Sequence, residues 1–268
     1  MASTTTRTLL TLTLALATAA GLAGCGKRRE KVTLAGSTAF QPFAEKLAEQ
    51  YMSTRADADI TVQGGGSAVG VQSALSGAAQ IGMADLVTLP PEAKDLVAVA
   101  VARDGIALVV NPKNPVTNLT TAQIRDIFNG KVTSWKDLGG EDHAITVVSR
   151  EAGSGTRSSF EDILTGLRLT PNAIVQDSNG TIRETVANDA YAIGYLSHGL
   201  INERIKAVSV DGNPCTTEAA MAGKYALVRP IYLLTKGAPA GAAKGFLDYV
   251  LSPEGQGLIR KDGLIPAQ

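Results

Sequence analysis

The sequence predicts an α/β fold with a largely parallel sheet and two domains. Short β-branched runs alternate with amphipathic helical patterns along most of the chain, which is the order of successive β–α units. Residues 25–268 are long enough for two domains of ordinary size. The segment "NPKNP" at 111–115 breaks either kind of element, so it is the best candidate for a linker between them.

The first half of the chain shows the alternation most clearly. Apolar residues on one helical stripe predict an amphipathic helix: Phe43, Ala44, Leu47, Ala48 and Tyr51. A second helix is predicted at 67–79 and a helical turn near 91, with strands at 31–36, 59–64, 80–83, 96–102 and 105–111. This is the order of a sheet whose strands are joined by helices.

The second half continues in the same order and ends in a helix that returns to the first domain. Helices are predicted at 121–128, within 149–164, at 181–189 and, as one long helix, near 241–260, with strands at 144–148 and 192–197. A second crossing between the domains is expected near 227–237. We therefore predict a discontinuous domain I, residues 32–109 and 231–268, and a domain II at residues 110–230.

The N-terminus has the pattern of a secretory signal peptide, residues 1–24. Arg7 precedes an apolar run, Leu9–Gly24, that is too short and too early for a stop-transfer helix. The run ends in Leu22-Ala23-Gly24-Cys25, which resembles a bacterial lipobox; an ordinary secretory signal is the alternative. A lipid on Cys25 would hold the protein at a membrane face, with residues 25–31 as a tether. We therefore expect an extracytoplasmic, lipid-anchored protein, in the periplasm or at the outer face of the cell membrane.

Composition argues against several classes of partner. The chain has 25 basic and 25 acidic residues and only 4% aromatic residues, so nucleic acid is not expected to bind. With Cys25 lipidated, Cys215 has no partner for an intrachain disulfide. His143 and His198 are far apart in sequence with no cysteine pair beside them, so we predict no metal site and no cofactor, and expect surface or loop positions for both histidines.

Three segments share a pattern in which a strand and a Gly-containing turn lead to a Ser or Thr at a predicted helix start. They are "AGSTAF" at 35–40, "QGGGSAVG" at 63–70 and "SREAGSGT" at 149–156. A single hydroxyl of this kind is explained by an N-cap, which contributes about 1 kcal/mol. Three helix starts at the carboxyl ends of strands would instead direct free N–H groups at one ligand, and such groups favour anions. This pattern predicts an oxyanion site.

Arg150 precedes the third of these helix starts. Its planar guanidinium could bind two oxygens of an oxyanion at once. A surface cation or a domain-closing ion pair is the alternative.

Other motifs fail on spacing. "GGGSAVG" lacks the Gly-Lys-Ser/Thr of a phosphate-binding P-loop, and Val69 occupies the last Gly position of a dinucleotide fingerprint that starts at Gly64. In "AGSGT", Ala152 replaces the first Gly of a nucleophile elbow. A hydrolase that uses Ser154 with a histidine remains the alternative from another class, and we expect no catalytic residue and no enzyme.

Six segments together resemble the phosphate-binding proteins of ABC transporters, in the periplasmic-binding-protein superfamily. They are "AGSTAFQPFAEKLAEQY", "QGGGSAVGVQSAL", "QIGMADL", "SREAGSGTRSSF", "SNGTIRETV" with "AIGYLS", and the ending "FLDYVLSPEGQGLIRKDGLIP". The likeness runs in order through nearly all of residues 25–268. It implies a two-domain periplasmic-binding-protein fold, with a hinge and a ligand cleft between domains that close over one dehydrated phosphate.

The resemblance also implies a set of phosphate ligands from both domains. They are Thr38, Ala39, Ser67 and Asp85 from the first domain, and Arg150, Ser154, Gly155 and Thr156 from the second. The hydroxyl and backbone N–H groups would donate, and Arg150 would form the ion pair.

Asp85 is expected to provide selectivity. An ionised carboxylate can only accept, so it needs a ligand that carries a proton. Phosphate, whose second pKa is about 6, keeps one hydroxyl near neutral pH, whereas sulfate offers none. The alternative is that Asp85 caps the following turn and faces water. The chain departs from some family members at Ala152, where they have an acidic residue, and has Glu151 one position earlier.

The sequence therefore predicts an extracytoplasmic protein that captures inorganic phosphate between two hinged domains and delivers it to an ABC permease. Two alternatives stay open: a binding protein for another tetrahedral oxyanion, such as sulfate, molybdate or arsenate, and a phosphate-sensing lipoprotein.

Overall fold

The computed structural model of the chain describes residues 29–55 and 57–267. Its strands are β1 Glu30–Gly36, β2 Ala58–Gln63, β3 Ile81–Ala84, β4 Val97–Val110, β5 Asn118–Leu119, β6 Thr146–Arg150, β7 Ile174–Gln176, β8 Ala192–Ser197, β9 Lys206–Val210, β10 Val228–Thr235 and β11 Ile265–Pro266. The predicted signal peptide and Cys25 lie outside the described residues, and β1 begins inside the predicted tether.

The helices account for most of the remaining regular structure. They are α1 Gln41–Thr54, α2 Ser67–Ser76, α3 Thr121–Phe128, α4 Gly155–Ile163, α5 Asn179–Asn188, α6 Thr217–Met221, α7 Gly241–Leu251 and α8 Pro253–Lys261. Short 3₁₀ turns occur at Pro91–Asp95, Trp135–Leu138 and His198–Leu200. Among the described residues, no helix has the length and apolar character needed to cross a bilayer.

The strands form one mixed sheet in the order β2-β1-β3-β10-β4-β8-β6-β7, with β9 and β11 also pairing with β4. Parallel pairs flank the sheet: β1 with β2 and β3, and β6 with β7 and β8. The prediction of a largely parallel sheet is wrong at the centre, because every antiparallel pair involves β4 or β10. The α/β alternation itself is confirmed.

Strand β4 is a single strand where the sequence predicts two. Its first part pairs with β10 as far as Gly105, and its second part, from Ile106, pairs with β8. The sequence Arg103-Asp104-Gly105 looks like a break, since charged residues and glycine are rare inside strands. The strand continues because the Asp104 side chain is buried and paired with Arg229 on β10.

The C-terminal helical region also differs from the prediction of one long helix near 241–260, because it forms two helices, α7 and α8. Pro253 has no backbone N–H and cannot continue α7, but it fits the first turn of α8. Ser252 caps α8, since its hydroxyl accepts a hydrogen bond from Gly255 N at 3.2 Å.

Two main hydrophobic cores are connected by β4 and β10, which we call the crossing strands. One core contains residues from Val32 to Ala102 and from Ile231 to Leu264, and the other contains residues from Ile106 to Leu227 with Ile265. We call the corresponding parts of the chain the first lobe (30–102 and 231–264) and the second lobe (106–227). The chain passes between the lobes along β4 and β10. The predicted domain limits, at 109/110 and 230/231, stay a prediction.

Candidate oxyanion-binding site

Four helices begin where strands end, at the face where the lobes meet. Strands β1 and β2 lead into α1 and α2 in the first lobe, and β6 and β7 lead into α4 and α5 in the second. The unpaired N–H groups of a helix start and its partial positive charge favour anions. The sequence predicted three of these starts, and α5 is the fourth.

The hydroxyl groups at the predicted helix starts have different roles. Ser154 is an N-cap, because its hydroxyl accepts from Arg157 N at 3.2 Å. Neither α1 nor α2 has a side-chain cap. Ser67 is the first residue of α2 rather than its cap, and near α1 it is Ser37, not Thr38, whose hydroxyl accepts from Phe40 N. Capping therefore explains Ser154 but leaves Thr38 and Ser67 for other contacts.

The lobes are in direct contact around α2 and α4. Ala68 N donates to Gly153 O at 3.1 Å, and the Ser159 hydroxyl donates to Asp85 O at 3.1 Å. Gly155 leaves no room for a side chain, since a Cβ there would lie 2.1 Å from Ser67 Oγ. The structure is therefore closed at the predicted site.

Asp85 lies at the centre of this contact and is 1% exposed. Its Oδ1 accepts from the Ser67 hydroxyl at 2.6 Å, and its Oδ2 accepts from the Thr156 hydroxyl at 3.2 Å. The backbone N–H of Asp85 donates to Ser67 Oγ at 3.0 Å. Asp85 is thus held by hydroxyls from both lobes and does not face water.

Thr38 and Thr156 are joined by a residue that the sequence analysis did not single out, Asn179. Its Nδ2 donates to Thr38 Oγ1 at 3.1 Å and to Thr156 Oγ1 at 3.5 Å. Asn179 is the first residue of α5 and is 1% exposed. The signal was available, because "SNGT" has the same pattern of small polar residues before a helix.

Arg150 is buried at the end of β6, with 1% of its side chain exposed. Its Nε and Nη2 donate to the two carboxylate oxygens of Glu151 at 2.9 and 2.8 Å, and Nη2 also lies 3.3 Å from Asp177 O. Nη1 is buried and has no hydrogen-bond acceptor in the described part of the chain. Glu151 therefore holds one edge of the planar guanidinium, and Nη1 is the nitrogen that a ligand could bind.

Several backbone N–H groups at the helix starts have no acceptor within residues 29–55 and 57–267. Among the predicted ligands they are those of Thr38, Ala39, Ser67, Gly155 and Thr156. Unpaired N–H groups at a helix start favour an anion, and here they come from helix starts of both lobes. Together with Arg150 Nη1 they suit a group that is rich in oxygen and negatively charged.

Two buried charges near the site were missed by the sequence analysis, Arg229 on β10 and Asp104 on β4. Arg229 Nη1 lies 2.5 Å from Asp85 Oδ2, as an ion pair without hydrogen-bond alignment, and Nη2 donates to Asp104 Oδ2 at 2.8 Å. Burial raises the pKa of Asp104 above its ordinary value, against the opposing effect of Arg229. Arg229 is the single charge in the run at 225–234, which is itself a sign that it is paired inside the protein.

These contacts close into one ring that passes through both lobes. Ser197 Oγ donates to Asp104 Oδ1 at 2.9 Å, and Ser197 N donates to Asn179 Oδ1 at 3.0 Å. The ring consists, in order, of Asp85, Arg229, Asp104, Ser197, Asn179 and Thr156. It ties the charged residues of the crossing strands to the hydroxyls of the site.

The predicted site residues are thus placed in one region. Thr38, Ser67, Asp85, Gly155 and Thr156 lie within one set of contacts, and Ala39 and Ser154 adjoin them in the chain. Arg150 reaches the region through Glu151, whose Oε1 lies close to Gly66.

Within the described residues, His143, His198 and Cys215 make no side-chain hydrogen bond to the predicted phosphate ligands. His143 is an exposed loop residue stacked on Tyr191, and His198 Nδ1 lies 3.3 Å from Gly263 O. Cys215 is buried, and burial raises its pKa to about 12, so its thiol is held in the unreactive protonated form. In the described residues, neither histidine hydrogen-bonds to Ser154.

Comparisons with known proteins agree with the geometry. The model of the PBP superfamily domain matches residues 21–254. The phosphate-binding protein PstS of Bacillus subtilis (strain 168) is 37% identical over 245 residues, which cover 90% of this chain and 82% of that relative. A second relative with the same name, from Borreliella burgdorferi, is 26% identical over 251 residues, covering 87% of this chain and 89% of its own length.

Solved structures of similar proteins include one with phosphate bound. It is a substrate-binding protein from Clostridium perfringens assigned to a phosphate ABC transporter, with 38% identity and a TM-score of 0.87, covering 89% of this chain and 100% of its own. An ABC-type phosphate transport receptor from Vibrio cholerae has 34% identity and a TM-score of 0.73, covering 87% of this chain and 99% of its own.

Proposed function

Because this chain belongs to the PBP superfamily, and within it to the phosphate-binding proteins of ABC transporters, we propose that it captures inorganic phosphate and delivers it to an ABC permease. The observation that supports this most strongly is the set of unpaired donors from both lobes around Asp85. A tetrahedral anion has oxygens in enough directions to accept from several helix starts at once. The proposed phosphate ligands are Thr38, Ala39, Ser67, Asp85, Arg150, Ser154, Gly155 and Thr156.

Asp85 supports phosphate over other tetrahedral oxyanions. An ionised carboxylate has about four acceptor positions, and the hydroxyls of Ser67 and Thr156 use two, while Arg229 Nη1 forms an ion pair with Oδ2. A position that these hydroxyls leave free suits the hydroxyl of a singly protonated phosphate. A sulfate ion would place a fully ionised oxygen against the carboxylate, which is both repulsive and without a hydrogen bond.

The backbone N–H groups, rather than the hydroxyls, are the constant donors of the site. A hydroxyl has one proton, and in this structure those of Ser67 and Thr156 are directed at Asp85. The amide protons of the helix starts cannot be redirected in this way. Ligand binding therefore depends on the backbone at the ends of β1, β2 and β6.

Capture proceeds by closure of the lobes. Each lobe supplies part of the donor set, so the open protein leaves the ligand half satisfied and phosphate shifts the population towards the closed state. The crossing strands β4 and β10 are the proposed hinge, since the chain passes between the two cores along them. No bond of the ligand is broken, so we propose a binding protein and not an enzyme.

Glu151 places an acidic side chain against Arg150, although the chain has Ala152 where some family members have an acid. Its carboxylate holds Arg150 through two hydrogen bonds, so the departure from the family pattern changes the position of the acid but keeps the paired guanidinium. Glu151 is partly exposed while Arg150 is buried, so the pair also forms one edge of the site.

Asp85→Asn tests the proposed ligand and its selectivity. Calorimetric titration of the purified protein should show phosphate binding that excess sulfate does not displace. In Asp85→Asn, the amide no longer repels sulfate, so the ratio of phosphate to sulfate affinity should fall by about tenfold, or ~1.4 kcal/mol. Failure of the wild type to bind phosphate would refute the proposed function, and an unchanged ratio would remove Asp85 from it.

Gly155→Ala tests closure. The added methyl group would lie 2.1 Å from Ser67 Oγ and 2.7 Å from Asp85 O, so the lobes could not come fully together. We expect phosphate affinity to fall by about tenfold or more, with thermal stability unchanged or raised, because Ala favours the helix. Gly257→Ala in α8 is the matched control, since its methyl group meets no described atom within 4 Å. Equal affinities in the two variants would contradict the closed geometry.

The protein is proposed to act outside the cytoplasm, anchored by a lipid on Cys25. The support is the lipobox-like sequence before Cys25 together with the family, whose permease partner lies in the membrane. Cells grown with a radioactive fatty acid should label the wild type but not Cys25→Ala. Equal labelling of both proteins would refute the anchor.

A further inference from the structure

Arg229 lies outside the predicted ligand set and yet contacts its central residue. The arginine is fully buried, and its guanidinium bridges two buried carboxylates, with Nη1 2.5 Å from Asp85 Oδ2 and Nη2 2.8 Å from Asp104 Oδ2. Arg229 and Asp104 are direct partners in the antiparallel pair of β10 and β4, and β10 also pairs with β3, which ends one residue before Asp85. The bridge is therefore part of the sheet.

The charge of Asp85 depends on this arginine. Across residues 29–55 and 57–267, Arg229 is the cation that forms an ion pair with Asp85, while Arg150 is paired with Glu151. A carboxyl group buried without a cation takes up a proton rather than remain charged. Without Arg229, the hydroxyls of Ser67 and Thr156 would be the remaining side-chain partners of Asp85.

Asp104 does not take the arginine away from Asp85. Arg229 Nη1 faces Asp85 and Nη2 faces Asp104, so the two carboxylates use different nitrogens of one guanidinium. Asp104 also has a second partner, because its Oδ1 accepts from the Ser197 hydroxyl at 2.9 Å. Asp104 is fully buried, and burial raises its pKa against the opposing effect of Arg229.

We propose that Arg229 is a specificity-determining residue, which keeps Asp85 ionised so that the site accepts tetrahedral oxyanions that carry a hydroxyl and rejects those that do not. The inference rests on the proposed phosphate-binding function. If Asp85 were protonated, it would donate a hydrogen bond instead of accepting one. The same side chain would then favour a fully ionised oxygen, and sulfate would be admitted.

Arg229, Ser67 and Asp85 meet without any contribution from α4, whereas Thr156 comes from the second lobe. The pairing of Asp85 with Arg229 is therefore independent of the contact with α4.

The test is the effect of Arg229→Gln in an Asp104→Asn background, where the second buried carboxylate is absent. Glutamine keeps a hydrogen-bond donor at this position but removes the positive charge. Relative to Asp104→Asn alone, we expect calorimetry to show the phosphate-to-sulfate affinity ratio reduced by about tenfold or more. A ratio within about twofold of the Asp104→Asn value, in a folded protein, would overturn the proposal. Arg204→Gln, an exposed arginine of the second lobe, is the matched control.

A second comparison shows whether Arg229 acts through Asp85. In an Asp85→Asn background, Arg229→Gln should leave the ratio unchanged, because the charge that the arginine maintains is already absent. A further fall in the ratio would contradict the proposal.

If the neutral variants fail to fold, Arg229→Lys decides the question. Lysine keeps the positive charge, so the ratio should stay within about threefold of the wild type, and its collapse in folded protein would overturn the proposal. Failure of this inference is distinct from failure of the proposed function. A wild type that does not bind phosphate refutes the function, whereas a selective wild type whose ratio does not respond to Arg229 refutes the inference alone.

Discussion

The buried carboxylate of Asp85 is the group on which the rest of the site depends. A charge in such a place is tolerated only when it is paired and hydrogen-bonded. Ser67 from the first lobe, Thr156 from the second and Arg229 from a crossing strand supply those partners. Because one partner comes from the opposite lobe, the contact between the lobes also completes the hydrogen bonding of the buried carboxylate.

The sheet explains why these partners meet. Strands β1, β2 and β3 bring Thr38, Ser67 and Asp85 to one edge, and β6 brings α4 to the same place from the other lobe. The antiparallel strands β4 and β10 pass through the centre and place Asp104 opposite Arg229. The same two strands connect the cores, so the proposed hinge and the buried ion pairs occupy one part of the molecule.

Much of this arrangement could be predicted from sequence, because the signals are local. Gly-containing turns before Ser67 and Gly155 mark helix starts at strand ends, and the structure places those starts together. The ion pair of Arg229 and Asp104 could not be predicted in this way, since its members are 125 positions apart and only the sheet makes them neighbours. The continuity of β4 depends on that pairing, so it was missed for the same reason. The break between α7 and α8 at Ser252-Pro253, in contrast, has a local signal in the sequence. It was missed because the helical pattern on both sides of it predicted one continuous helix.

The most direct test of the account is a crystal structure of the purified protein grown with phosphate. We predict one phosphate between the lobes, within about 2.7–3.2 Å of backbone N–H groups from the starts of both α2 and α4, with one oxygen hydrogen-bonded to Asp85. Phosphate bound to one lobe alone, or located away from Asp85, would contradict the claim that both lobes converge on a protonated tetrahedral anion.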